Sequence, residues 1–289
     1  MTLDLNFDPA SVKQKIISVI KRISQERDNS GVLITFGGQT ESYIVIKLAI
    51  EAVGLNAVHI SVIREIGDLK KQEIVSNAKK YLGIPDNQII VFDIDKFAKQ
   101  LDLRLLGRGV ASQFESGLDT ILIPRLYNIG HSLLRSHLVR RVVEDKTYSI
   151  KGKPQSEREK YFLKLIAQRK LRKRLKMVLM TFLAESGNLL LLNETNKTQW
   201  LTGLFTTFGY GHIAEIMPLG DLYRTQLLDL GKYLGLPHEI QDLTYSNLMP
   251  GIENQYQYFF ELDYKTVDQI LIRLQADWSA QQIAEETGM

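Results

Sequence analysis

The sequence predicts an α/β protein built on a doubly wound parallel sheet flanked by helices. Three observations lead there. Residues 32–36 form a short apolar, β-prone run that Gly37 and Gly38 break, and from Glu41 the apolar residues Ile44, Leu48, Ala49 and Val53 recur at helical spacing. Residues 56–62 and 88–94 read as two further strands, with a helical segment over 66–82 between them. Strands alternating with helices of this length imply right-handed βαβ units, whose ligands sit beyond the carboxyl ends of the strands.

Residues 9–28 carry Val12, Ile16, Ile17, Ile20 and Ile23, an amphipathic helix leading into the first strand. The turn at Gly37 and Gly38 directs backbone N–H groups and a positive helix end at one spot. That suits a phosphate or pyrophosphate; an ordinary strand–turn–helix with two glycines is the other reading. It is not a Walker loop, because the spacing and the Lys-Ser/Thr ending are missing. Helix 66–82 stops at Gly83-Ile84-Pro85. The third strand brings Asp93 and Asp95 to the same edge as the two glycines.

Residues 101–156 break the rhythm. A short strand over 121–124, a helix over 126–143 with Arg135, Arg140 and Arg141, and a polar loop over 146–156 are expected. No chemistry attaches to this insert, which reads as a lid, an interface element or a decoration. Residues 157–187 then form one long helix with a basic middle, 169–176, through which Leu171, Leu175, Val178, Leu179 and Phe182 keep an apolar stripe. The basic run is either a solvated charged face or a surface for phosphates, nucleic acid or acidic lipid.

The fourth strand covers 188–193, and a helix opens after it with Thr195 and Asn196 as capping residues. Lys197 opposes the dipole of that helix, and an anion sharing the site would explain it. A helix over 221–234 ending at Gly235 follows, then a turn at Pro250-Gly251. Two short amphipathic helices, 263–274 and 279–286, close the chain, the second capped by Ser279. The pair has the outline of a helix-turn-helix, but its second helix carries no positive charge for DNA.

Composition sets further bounds. The 289 residues are 44% hydrophobic, enough for a large core. No apolar run reaches the roughly eighteen residues of a membrane span, and no charged-then-apolar leader opens the chain, so a cytoplasmic location is expected. There is no cysteine, which removes disulfides, thiolate metal sites and cysteine nucleophiles, including those of glutaminases. A nitrogen donor would therefore be free ammonia or come from a partner. The net charge of +3 is too small to argue for nucleic acid. The five histidines show no metal-ligand spacing, and His59 reads as a packed strand residue.

The stretches Thr195-Asn-Lys-Thr-Gln-Trp-Leu-Thr-Gly-Leu-Phe-Thr-Thr-Phe-Gly209, Pro218-Leu-Gly-Asp-Leu-Tyr-Arg-Thr-Gln226, Leu248-Met-Pro-Gly251, Asp263-Tyr264 and Ala284-Glu-Glu-Thr-Gly288 resemble the NAD synthase family, among the ATP pyrophosphatases of the adenine nucleotide α-hydrolase type. The resemblance runs from the first helix to the C-terminus, apart from an insert at about 102–156. It implies one Rossmann-like domain over 1–289, without a glutaminase domain, that assembles as a homodimer. The implied reaction adenylates the nicotinate carboxylate of deamido-NAD with ATP and magnesium. It releases pyrophosphate, and ammonia then displaces AMP.

The resemblance implies a site as well. Lys197 and Arg224 stand at its catalytic cations. Phe36, Gly37, Gly38, Ser42, Thr195 and Asn196 stand at ATP-binding positions, Arg174, Tyr210 and Asp221 at substrate positions, and Glu41 and Gln199 at the two metal-ligand positions. Several of these depart from the family pattern. Phe36 replaces the first serine of Ser-Gly-Gly-x-Asp-Ser, and Glu41-Ser42 stands for Asp-Ser with one extra residue; without that gap the positions become Thr40 and Glu41. Gln199 replaces a glutamate, and a neutral amide is a weak ligand for magnesium. Asn193-Glu194-Thr195 replaces Gly-Thr-Gly, Tyr210 an aspartate, Arg224 a lysine, and Lys170 an asparagine. Two readings follow. One is an ammonia-using NAD synthase, or a paralogue amidating another carboxylate. The other is a catalytically silent relative that binds a nucleotide or a partner. A nucleic-acid binder using 169–176 lacks the aromatic residues that accompany such sites.

Overall fold

The structure, a computed structural model, describes residues 5, 7–64, 71–94, 157–211, 214–241, 243, 256 and 260–288. The expected insert over 102–156, the first turn of the 66–82 helix, Asp95, His131, His137, His212 and the stretch 248–251 lie outside them.

Asp8 starts α1 (Pro9–Glu26), accepting from the N–H groups of Ala10 at 3.0 Å and Ser11 at 3.3 Å. The chain then enters β1 (Gly31–Thr35), every residue of which is buried. A side chain at Gly31 would stand 2.2 Å from the Ala57 carbonyl oxygen, so only glycine lets β1 begin there. After β1 come α2 (Thr40–Val53), β2 (Val58–Arg64), α3 (Lys71–Leu82) and β3 (Ile89–Asp93). The long helix α4 (Glu157–Ser186) leads to β4 (Leu189–Leu192), after which the described residues include α5 (Lys197–Thr202), α6 (Arg224–Tyr233), α7 (Tyr264–Gln275) and α8 (Ala280–Thr287).

Among the described residues all strand pairings are parallel, in the order β3-β2-β1-β4. Alternation along β1 divides the core. Val32 and Ile34 pack with Ile20 of α1, Ile44 and Leu48 of α2 and Leu227 of α6, while Leu33 faces Met180 and Ala184 of α4. Helices on both faces make this the doubly wound sheet that the pattern of segments predicted. Among the described residues no helix is long and apolar enough to cross a membrane.

One helix start moves. The expected 221–234 helix begins at Arg224, because residues 218–221 are turn and Tyr223 is extended. That makes Arg224 the first helical residue and leaves Asp221 exposed in the turn. His59 lies in β2 as expected, only half-buried, and desolvation lowers its pKa.

Candidate functional site

The strand order reverses direction at β1, whose two neighbours are β2 and β4. In open α/β sheets the crevice at such a switch point, beyond the carboxyl ends, is where ligands bind. The β1–β4 ladder ends at Ile34 and Leu192, and the chain beyond each strand builds the walls.

On the β1 side, Gly38 turns with φ of 80°, a backbone state that glycine adopts freely. A Cβ at Gly37 would meet Gln39 Oε1 at 3.0 Å. The Phe36 ring points away into the core, edge-on to Tyr43 at 4.9 Å, so only its backbone belongs to the turn. Thr40 is spent on the chain itself: its hydroxyl donates to Ile240 O at 2.8 Å and accepts from Leu243 N at 2.9 Å, and its N–H donates to Leu243 O at 3.2 Å. Ser42 is buried, its hydroxyl donating to Gln39 O at 2.9 Å. Of the polar residues opening α2, Glu41 is therefore the one that reaches across to the β4 side.

There its carboxylate meets Arg224 in a buried ion pair and accepts from Asn196 Nδ2 at 3.1 Å. Arg224 also lies 5.9 Å from the Tyr264 ring. Lys197 Nζ sits 4.6 Å from the ring of Tyr223, and its backbone N–H donates to Leu222 O at 2.9 Å. Both cations occupy the first position of a helix, α5 for Lys197 and α6 for Arg224. Asn196 caps α5 reciprocally with Gln199: Gln199 N donates to Asn196 Oδ1 at 2.9 Å, and Asn196 N donates to Gln199 Oε1 at 3.1 Å.

This donor set does not fit a protein-held magnesium at positions 41 and 199. The one carboxylate is neutralised by Arg224, and the amide oxygen that would be the second ligand is turned onto a backbone N–H.

The β4 side is closed by Tyr210. Its hydroxyl donates to Leu192 O at 2.5 Å and accepts from Thr35 N at 3.2 Å, which places it as one more rung where the β1–β4 ladder stops. Burial pushes its pKa well above that of an ordinary tyrosine, and the neighbouring Glu194 carboxylate pushes it further. Asn193 holds the same loop, donating to Tyr210 O and accepting from Thr195 N at 2.7 Å, while the Thr195 hydroxyl donates to Gly211 O at 2.8 Å. Glu194 Oε2 is shielded from solvent with no hydrogen-bond partner among the described residues. Desolvation raises the Glu194 pKa against the pull of Lys176.

Members of the basic run enter this wall. Arg174 Nε donates to Thr207 O at 3.3 Å, and Lys176 Nζ lies 4.6 Å from the Tyr210 ring centroid. The structure thus gathers Glu41, Asn196, Arg224, Lys197, Thr195 and Tyr210 at one edge of the sheet. Asp221 remains exposed. Asp268 of α7, which no sequence motif points to, is buried and bonded to Thr198 and Thr225. No local signal marks it, because its partners lie 70 and 43 residues away.

A family model described as NAD synthase matches residues 122–289. The NH(3)-dependent NAD(+) synthetase of Thermotoga maritima is 26% identical over 271 residues, covering 91% of this chain and 87% of that protein. Among solved structures, NMN synthetase from Francisella tularensis aligns with a TM-score of 0.61 at 18% identity, over 96% of this chain and 92% of that one. NH3-dependent NAD synthetase from Campylobacter jejuni, in complex with nitrate, aligns with a TM-score of 0.59 at 15% identity, over 98% and 93%. At these identities the structural likeness speaks for the fold.

Proposed function

We propose that this chain, which belongs to the NAD synthase family, is an ATP-dependent amide ligase. It transfers AMP from ATP to a substrate carboxylate, releasing pyrophosphate, and ammonia then displaces AMP to leave the amide. A carboxylate is a poor electrophile, and the acyl-adenylate is an activated one. Deamido-NAD is the default substrate, and the absence of cysteine supports ammonia as the nitrogen source.

The observation that carries this reading is the placement of Lys197 and Arg224. Two short helices present them at their first positions beside the Gly37-Gly38 turn's strand and the switch-point crevice. Backbone N–H groups at the turn would hold phosphate oxygens, and the two cations would oppose the charge that develops as pyrophosphate leaves. Arg224 must exchange its Glu41 partner for phosphate in this scheme. No step is assigned to a metal held by the protein. The chain acts as a homodimer, a reading supported by Val178 and Phe182, 65% and 64% exposed one turn apart on α4.

A coupled assay with ATP, its magnesium salt, ammonium and deamido-NAD, following AMP and pyrophosphate, tests the proposal. The Francisella protein is described as an NMN synthetase. The panel therefore includes nicotinate mononucleotide, the acid whose amide is NMN. AMP formed with deamido-NAD supports the default substrate, and AMP formed only with another acid moves the substrate while keeping the chemistry. No AMP above background from folded protein sinks the ligase reading.

One observation favours a second reading, a catalytically silent relative. The Glu41–Arg224 pair and the Gln199 cap leave both family metal positions engaged within the chain. Under that reading the folded protein forms no AMP with any acid in the panel.

A further inference from the structure

We infer that Asp268 is a positioning residue for this site: from α7 it sets the two helix starts that carry Lys197 and Arg224. The inference rests on the role just proposed for those cations.

Asp268 is completely buried. Its Oδ1 accepts from Thr198 Oγ1 at 2.5 Å, and its Oδ2 accepts from Thr225 N at 2.8 Å and Thr225 Oγ1 at 2.7 Å. Thr198 follows Lys197 in the chain, and Thr225 follows Arg224. The Thr198 hydroxyl accepts in turn from the Arg224 N–H at 2.8 Å. One carboxylate therefore ties the second residue of α5 to the second residue of α6, and the bridging hydroxyl reaches the backbone of Arg224 itself.

These helices need such a tie. α5 has six residues and α6 ten, both below the length at which a helix holds itself in water. The Thr225 N–H belongs to the first turn of α6, where N–H groups have no partner within the helix. The residue before α6, Tyr223, offers no carboxylate, and Asp268 supplies one from another helix at the positive end of the α6 dipole. Burial raises the Asp268 pKa, and the Arg224 charge pulls the other way. A rigid start to each helix fixes where its cation can reach, and a cation displaced by about 1 Å costs roughly 100-fold in rate.

The test compares Asp268→Asn with Asp263→Ala. Asp263 is the exposed cap of the same helix, accepting from Lys265 N and Thr266 N, and among the described residues it makes no bond to α5 or α6. Both variants loosen α7, and only the first withdraws the anion from the two helix starts. In the coupled assay, kcat of Asp268→Asn falls about 100-fold while KM for the carboxylate substrate changes little. Asp263→Ala keeps the parental kcat at a comparable loss of Tm. Hydrogen exchange speeds up at 197–199 and 224–226 in Asp268→Asn and not in Asp263→Ala. Thr198→Ala, which cuts the tie and leaves the carboxylate in place, gives the same kcat and exchange pattern and serves if Asp268→Asn does not fold. A kcat that falls in parallel with Tm in both aspartate variants, or stays parental in Asp268→Asn, overturns the inference. If the parental chain turns nothing over, the ligase reading falls and the exchange comparison decides alone. Unchanged protection at both segments in Asp268→Asn then overturns it.

Discussion

Glu41 and Arg224 form an ion pair inside the protein, with side chains 7% and 1% exposed. One follows β1 and the other opens α6, so the pair bolts the two sides of the crevice together. A buried pair is costly to break, because removing one partner strands the other charge out of water. Glu41→Ala or Arg224→Ala should each lower the unfolding free energy by about 3–5 kcal/mol. The double variant Glu41→Leu/Arg224→Met should recover most of that loss. Urea unfolding of the three proteins checks this, and single variants that lose under about 1 kcal/mol would contradict the pairing.

Gln199 closes the cap of α5 on Asn196. Glutamate serves equally well at that position of a capping box, so Gln199→Glu should leave stability within about 0.5 kcal/mol. It also brings a second carboxylate to the Glu41 side of the site. Titration calorimetry should show magnesium binding at least about tenfold tighter than in the parent, since affinity for hard cations follows ligand charge. Equal magnesium affinity in both proteins would show that position 199 does not face a metal site.

The Tyr210 hydroxyl bridges Leu192 O and Thr35 N where water cannot easily replace it. Tyr210→Phe leaves both backbone groups without this partner and should cost about 1–3 kcal/mol. The pH dependence has a definite sign. Burial raises the Tyr210 pKa above its unfolded value of 10.0, so the contribution is intact below pH 10 and is lost as pH rises above it. Wild type should therefore lose stability more steeply than Tyr210→Phe above about pH 10. Parallel curves in that range would remove the buried phenol from the account.

Val178 and Phe182 stand exposed one turn apart on α4. If this stripe joins two copies, Phe182→Glu should shift sedimentation from dimer to monomer at micromolar concentration while the circular dichroism stays native. A monomeric parent would remove the homodimer proposal.

The local elements are legible along the chain. Short apolar, β-prone runs marked the strands β1, β2 and β4, and period-3.6 apolar spacing marked α2. Gly37 and Gly38 marked the turn, and the stretches around Lys197 and Arg224 marked ancestry, because each of these signals is carried by near neighbours in the chain. The basic run of α4 left two readings open, and only the structure turned Arg174 and Lys176 onto the loop that holds Tyr210. Tertiary structure decided the strand order β3-β2-β1-β4, the pairing of Glu41 with Arg224, the use of Tyr210 as a rung between strands and the burial of Asp268 behind two helix starts. The physical reason is desolvation. A buried polar group must find a partner wherever packing places one, and that partner lies across the fold rather than along the chain.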